Sequence, residues 1–345
     1  MPTEEISGIY LDNRRRHTAW RSYVTDPPVV SVPLEEALLC HFVRDLPGGH
    51  NGPFIKTIQH ILWVDGISRN YTRRLAEAPR LEQEFRSDNC KAIFCPAMNQ
   101  LRQASRYIDT SGMEDKLHLV PPGVWNQPDN LHDHTGPFTI MTVSNRFWGR
   151  GVPLDIEVFR ILRKRYGKAV QMKLVCNNVP KNYPLVEGIE VFRMKRMPNK
   201  LRRRLYRESS AFLLLSLHEF SVTLEALAYG VPMISTPAGE KASYGLLGET
   251  EFIVEPPFRL LDESWGKKWK TWDEFQGIVK REFEKGALSY MIEEGVAHVE
   301  FLMNNPDEVK RMGAAAQAHQ RAHHSPESRN VQVRQIYTEI LKGLV

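Results

Sequence analysis

Residues 211–236 read AFLLLSLHEFSVTLEALAYGVPMIST, two apolar runs with a helical pattern between them. The runs at 211–216 and 231–236 have the length and composition of buried strands. Residues 221–230 predict a helix that begins at Ser221 and is closed by Gly230. A strand, a helix and a second strand in this order predict one unit of a parallel sheet covered by helices.

The same alternation extends back to residue 138 and predicts a complete α/β domain. One helix is expected after Pro153, where Gly167 ends it, and another after Pro198. The strands are expected at 138–143, 170–176, 189–192, 211–216 and 231–236, the last completing the sheet.

The first 130 residues are less regular but also indicate an α/β domain. Pro33 is expected to open a helix, and a second helix is expected near 70–87. A strand at 91–96, a helix from about 98 to 108 and a strand within 116–124 follow. The polar stretch 126–136 is typical of a linker, so we expect domains at 1–132 and 133–328.

Composition excludes several classes of protein. The 345 residues are 42% hydrophobic and 25% charged, enough for two domains with ordinary cores. No apolar run approaches a membrane span and the N-terminus lacks the order of a signal peptide, so we expect a cytoplasmic protein. The four cysteines have no CxxC spacing and no histidine grouping, which predicts reduced thiols and no metal.

The basic run 193–207, RMKRMPNKLRRRLYR, carries eight basic side chains and no acidic one. A solvated helix face and a surface for phosphate, membrane headgroups or nucleic acid are both consistent with it. Aromatic stacking and zinc-finger spacing are missing, which disfavours nucleic acid.

The segment at 216–225 predicts an anion site where a strand ends and a helix begins. The backbone N–H groups of Ser221, Val222 and Thr223 and the positive end of the helix suit a diphosphate. Glu219 precedes the helix and Glu225 is expected on its second turn, where carboxylates would accept hydrogen bonds from sugar hydroxyls. For each glutamate alone, a solvated surface position is the competing interpretation.

From these motifs the sequence resembles the retaining GT-B glycosyltransferases of the glycosyltransferase family 4 type, also called group 1. The segment LEALAYGVP (224–232) matches the family's ribose-binding glutamate, which places Glu225 on the ribose and Glu219 on the donor sugar. VSNRFWGRG (143–151) resembles the loop that grips the diphosphate, with Arg146 first and Arg150–Gly151 in place of a lysine–glycine pair. The resemblance covers roughly residues 90–345.

Three further residues are assigned through this resemblance. Asn177, which follows the strand at 170–176, and Met194, in the basic run, belong to the expected donor site. His60, in IKTIQHILW, is the candidate for the histidine that the family often places near the reacting centre. A packed structural histidine is the competing interpretation of His60.

The sequence departs from the family pattern at three points. The two glutamates are six positions apart rather than eight, so the sugar pocket is expected to be reshaped. Cys176, Asn177 and Asn178 replace the usual glycine-rich strand end. Gly48 and Gly49 follow a predicted helix rather than the first strand, so the family's N-terminal glycine loop has no counterpart there.

The resemblance implies an α/β GT-B fold, two Rossmann-like domains facing each other across a cleft, with the final helix (329–345) crossing back to the acceptor-binding N-terminal domain. It implies transfer from a UDP- or GDP-linked sugar to a glycan, lipid-linked or other hydroxyl acceptor, with retention and with neither metal nor cofactor. Membrane-bound acceptors are common in the family, so a peripheral location at the inner face of the membrane is a further expectation. The alternatives are a nucleotide-sugar epimerase, an inverting transferase (including a DNA-modifying one) and a non-catalytic nucleotide-sugar-binding protein.

Overall fold

The computed structural model describes residues 6–11, 29–31, 33–42, 50–57, 71–95, 108–125, 136–193, 197–216, 222–237, 244–257 and 272–344. The chain divides into two units, one of Met1–Trp125 together with Ala322–Val345, the other of Asn126–Arg321. No helix in these described ranges has the length and apolar content to cross a membrane.

In the first unit the described strands form a six-stranded parallel sheet in the order β2-β1-β3-β4-β5-β6. The strands are β1 (Ile6–Leu11), β2 (Val29–Ser31), β3 (Leu39–Phe42), β4 (Phe54–Thr57), β5 (Cys90–Cys95) and β6 (Leu117–Leu119). Helix α1 (Tyr71–Arg86) matches the helix expected near 70–87. After Pro33 only a 3-10 turn forms, Leu34–Glu36, because the chain enters β3 three residues later.

The last helix of the chain, α8, covers one face of this first sheet. It spans Pro326–Lys342, and Ser325 caps it by accepting a hydrogen bond from the Ser328 backbone N–H. Its Val333, Ile336 and Tyr337 pack in one apolar cluster with residues of the sheet, namely Ile9, Leu39, Ile55, Ala92 and Phe94. The expected return of the final helix to the first domain is therefore confirmed.

A buried polar cluster ties α8 to the sheet. His41 of β3 is hydrogen-bonded through Nδ1 to the Tyr337 hydroxyl at 2.5 Å and through Nε2 to Thr57 Oγ1 at 2.6 Å. Burial, with a smaller effect from the nearby Arg329 charge, lowers the pKa of His41 to about 3. The ring is therefore neutral at physiological pH, donating through one nitrogen and accepting through the other.

In the second unit the described strands form another six-stranded parallel sheet, in the order β12-β11-β10-β7-β8-β9. The strands are β7 (Phe138–Ser144), β8 (Val170–Cys176), β9 (Ile189–Phe192), β10 (Ala211–Leu214), β11 (Met233–Ser235) and β12 (Glu251–Ile253). The helices are α2 (Val152–Tyr166), α3 (Asn199–Arg207), α4 (Val222–Ala228), α5 (Trp272–Glu284), α6 (Ser289–Asn304) and α7 (Pro306–His323).

Helices α2 and α6 supply the main core of this unit. Leu154, Val158 and Leu162 of α2 are buried with Val296 and Val299 of α6. A Cβ on Gly295 of α6 would lie 2.9 Å from the Val158 side chain, so the missing side chain lets the two helices approach closely.

Most elements expected in this half of the chain are present, and one expectation about the sheet is wrong. The strands at 138–143, 170–176 and 189–192 are confirmed, and α2 ends at Gly167 with φ 56°. Residues 231–236 do not complete the sheet, because β12 adds a further edge strand beside β11. The helix expected at 98–108 and the linker at 126–136 lie almost wholly outside the described residues.

Candidate functional site

The strand order of the second sheet defines where a ligand site belongs. From β7 the chain moves to β8 and β9 on one side, and it then crosses to β10 on the other side of β7. Since such crossovers are right-handed in nearly all proteins, α2 lies on one face of the sheet and α3 and α4 on the other. A crevice therefore opens at the carboxyl ends of β7 and β10, the usual ligand position in open α/β sheets.

The loop after β7 carries Arg146 and Arg150. Ser144 Oγ donates a hydrogen bond to the Arg146 carbonyl at 2.7 Å and accepts one from the Arg146 backbone N–H at 3.2 Å. The Gly151 N–H donates to the Trp148 carbonyl at 3.1 Å, and buried Phe147 packs in an apolar cluster with Val152, Ile156 and Leu174. These contacts form a tight turn, and both arginine side chains within it are partly buried.

Gly151 brings this arginine loop against the end of β10. Its φ is 68°, and a Cβ placed there would lie 2.0 Å from the Leu215 carbonyl oxygen. The buried Asp155 of α2 fixes the same point, since its Oδ1 accepts a hydrogen bond from the Leu215 N–H at 2.9 Å. The arginine loop therefore lies directly beside Leu215, the residue that follows β10.

Helix α4 spans Val222–Ala228 within the described residues, and the chain leaves it in a turn that ends at Gly230, where φ is 66°. Glu225 therefore lies on the first turn and not on the second. Val222 is partly buried and Thr223 is buried at the start of this helix.

Glu225 contacts the basic run. Arg202 Nη1 of α3 lies 3.2 Å from Glu225 Oε1. Burial raises the pKa of the Glu225 carboxyl above its ordinary value, and the Arg202 charge and a hydrogen bond from the Tyr206 hydroxyl lower it in part. The structure therefore places one side of the basic run against the helix that carries the candidate ribose ligand.

The rest of α3 is divided between buried apolar and exposed basic positions. Arg204 lies 3.7 Å from Glu208, which also pairs with Lys173 at 2.5 Å. Leu205 and Tyr206 are buried, and the exposed basic side chains are Lys200, Arg202, Arg203, Arg204 and Arg207. Neither Arg202 nor Tyr206 was expected in the site, although a basic run without acids preceding Glu225 on the next helix was the available signal.

The end of β8 contributes to the same edge of the sheet. Asn177 follows buried Cys176 and is partly buried. The next residue, Asn178, donates from its side-chain amide to the Asn145 carbonyl at 3.5 Å, which links this loop to the arginine loop.

The structure thus gathers seven of the candidate residues at the carboxyl edge of the second sheet, namely Arg146, Arg150, Gly151, Asn177, Val222, Thr223 and Glu225. The other four, His60, Met194, Glu219 and Ser221, lie outside the described residues. Within the described part of the chain, no group of three or more histidine, cysteine or acidic side chains is arranged to hold a metal ion.

The sequence matches no protein-family model and no curated protein. Solved structures resemble it along most of its length. A glycosyltransferase from Rickettsia africae is 16% identical with a TM-score of 0.59, covering 89% of this chain and 78% of its own. Sucrose-phosphate synthase from Thermosynechococcus elongatus is 15% identical with a TM-score of 0.57, covering 89% and 74%. Anabaena HepE in complex with UDP-glucose is 13% identical with a TM-score of 0.55, covering 88% and 79%.

These likenesses confirm the expected fold, two Rossmann-like domains of the GT-B type, each with a parallel sheet and helices. At such identities they show the fold alone, and the chemistry of the site has to be argued from its own residues.

Proposed function

We propose that this protein is a glycosyltransferase that moves a sugar from a nucleotide diphosphate sugar to an acceptor hydroxyl. The observation that carries the proposal is the close approach of Gly151 to Leu215 at the crossover point of the second sheet. It brings a loop with two arginines beside Leu215 at the end of β10, the edge at which open α/β sheets bind ligands and where guanidinium groups suit a diphosphate.

Each candidate residue then has a role. Arg146, Arg150 and the backbone N–H groups of residues 221–223 bind the diphosphate, and Glu225 accepts hydrogen bonds from the ribose hydroxyls. Gly151 provides the space for this approach. Glu219 holds the sugar, Asn177 and Met194 complete the donor site, and His60 is the proposed catalytic histidine.

The reaction breaks the bond between the anomeric carbon and the diphosphate oxygen. The acceptor oxygen forms the new bond on the same face, with retention, and its proton passes to a phosphate oxygen of the leaving group. Arg146 and Arg150 stabilise the charge that grows on the departing diphosphate, so a divalent ion is not required. The complex of HepE with UDP-glucose supports UDP as the first nucleotide to test.

The acceptor and the location are part of the same proposal. The first domain, residues 1–132 with 329–345, binds a glycan, a lipid-linked or another hydroxyl acceptor, and the second domain, residues 133–328, binds the donor. We place the protein in the cytoplasm, in association with anionic membrane surfaces. The exposed basic side of α3 supports this membrane association.

Incubation of the purified protein with a panel of UDP- and GDP-linked sugars tests the proposal. We expect slow release of free nucleotide diphosphate, faster with a competent acceptor, and an α-linked product from an α-linked donor. Release should persist in excess chelator. An isomerised sugar would indicate an epimerase, inversion an inverting transferase, and binding without turnover a binding protein.

A further inference from the structure

Two residues of helix α3, Arg202 and Tyr206, interact with Glu225. Arg202 Nη1 lies 3.2 Å from Glu225 Oε1, with 47% of the arginine side chain and 25% of the glutamate side chain exposed. Because a carboxylate offers about four lone-pair directions, this one pair leaves acceptor capacity for a ligand.

Tyr206 anchors the same part of α3 in the protein interior. It is fully buried and stacks on Tyr229 with ring centroids 5.1 Å apart and an interplanar angle of 3°. Its hydroxyl oxygen lies 3.4 Å from the Val222 carbonyl, and its single proton is shared between that carbonyl and the Glu225 carboxylate. Tyr206 therefore ties α3 to the first turn of α4, where the candidate ligand groups begin.

We infer that Arg202 and Tyr206 are positioning residues that hold the Glu225 carboxylate in the orientation and charge required to bind the ribose of the donor. The inference rests on the proposed function, since it assigns supporting groups to the same site. Both residues act through Glu225 and neither needs to touch the nucleotide.

The ionisation of Glu225 depends on both of these neighbours. Burial raises the pKa of Glu225, whereas Arg202 and Tyr206 of α3 lower it, and these two are the groups of the described residues that act on it in that direction. Only the ionised carboxylate accepts through both oxygens, so nucleotide affinity should fall as pH drops through this pKa. Loss of the Arg202 charge raises the pKa further and moves that fall to higher pH.

Calorimetric titration with UDP or GDP, whichever binds the wild-type protein, over pH 5 to 8.5 tests the inference. For Arg202→Ala we expect the acid limb of affinity to move up by about one pH unit or more, the effect of one cation within hydrogen-bond distance of a carboxylate. Affinity should recover towards the wild-type value at pH 8.5, and Arg202→Lys should restore most of the acid limb. Tyr206→Phe keeps the stacked ring and should weaken binding about threefold to tenfold.

Two variants sharpen the test. Arg203→Ala is the matched control, because Arg203 is an exposed neighbour on the same helix with no ion pair to Glu225 among the described contacts, and it should bind like the wild type. In a Glu225→Gln background, which has no carboxyl to titrate, Arg202→Ala should have no further effect.

An Arg202→Ala variant that matches the wild type at every pH would overturn the inference, as would a loss that is independent of pH and persists in the Glu225→Gln background. Either result would leave the proposed function standing if the wild type binds and turns over. A wild-type protein that binds neither UDP nor GDP would contradict the proposed function and this inference together.

Discussion

Gly151 occupies a position where a side chain has no room. Its φ of 68° is strained for any other residue, and a Cβ would meet the Leu215 carbonyl oxygen at 2.0 Å. Gly151→Ala should therefore cost more than the roughly 1–2 kcal/mol of a left-handed backbone alone, because the end of β10 has to move. Urea unfolding measures the cost, and UDP titration should show weakened binding because the crevice is displaced.

Gly248→Ala is the matched control for Gly151→Ala. Gly248 has a similar φ of 75° with nothing within 4 Å of an added Cβ, so this variant bears the backbone cost only. Equal losses of stability in the two variants would show that the approach to Leu215 does not constrain the loop.

Arg150 should act mainly on the transition state. Charge on the leaving diphosphate grows as the sugar departs, so a preorganised guanidinium contributes more then than in the bound donor. Arg150→Ala should lower kcat by about a hundredfold or more, with a smaller effect on donor binding. Lys164→Ala, which removes an exposed cation of α2, should leave turnover unchanged. Normal turnover of Arg150→Ala, or loss of wild-type turnover on chelation with recovery in manganese, would contradict this mechanism.

At the scale of elements, the sequence predicts those that carry their own signal. β7, β8 and β9 are mostly apolar segments, and α2 combines a proline in its first turn with a glycine stop, so local chemistry specifies each. β12 has three residues and depends on pairing with β11, which no local pattern reveals. The contact of Arg202 with Glu225 joins two helices on one face of the sheet, so it depends on the crossover rather than on spacing.

Helix α3 should also carry any membrane association. Its exposed Lys200 and Arg203 belong to a basic face, and each basic residue near an anionic surface contributes about 1 kcal/mol. Flotation with vesicles containing anionic lipid should retain the protein at low salt and release it at high salt. Reversal of Lys200 and Arg203 to glutamate should weaken retention about tenfold or more.

The same charge change at Lys164, exposed in the last turn of α2, and at Lys168, exposed just beyond its end, is the control and should have less effect. If flotation responds to neither anionic lipid nor salt, the exposed basic side of α3 is only a solvated surface.

At the scale of the whole molecule, the first unit is discontinuous in sequence. Its sheet comes from the first 125 residues, and the helix that covers it comes from the last 20 or so. The family resemblance predicts this return of the chain, but the His41–Tyr337 contact spans 296 positions and leaves no trace in local pattern.

This contact should make the first unit sensitive to acid. The pKa of His41 is about 3 in the folded protein against an ordinary 6.5, so the unfolded chain binds more protons between those values. The contribution of His41 to the free energy of unfolding is therefore fully present above pH 6.5 and is lost as pH falls towards 3. At pH 5 the loss should be about 2 kcal/mol relative to neutral pH, measurable by urea unfolding at both values.

His41→Gln removes this titration and should flatten most of the dependence, although it weakens the fold at neutral pH by breaking two hydrogen bonds. Half-buried His118, whose pKa burial also lowers, accounts for a remaining slope of the same sign. His323→Gln, which removes an exposed histidine, should keep the wild-type dependence. A wild-type slope in His41→Gln would contradict the assignment.

The position of α8 also sets an order of events on the ribosome. The sheet of the first unit emerges early, but Val333, Ile336 and Tyr337, which cover its apolar face, are translated last. At about 5–20 residues per second, the intervening segment delays them by roughly 10–40 s. During that interval the nascent sheet presents Ile9, Leu39 and Ile55 without their cover, a surface that chaperones bind. The second unit is continuous in sequence and can fold before α8 is translated. A chain truncated before α8 should therefore contain a folded second unit and an aggregation-prone first unit.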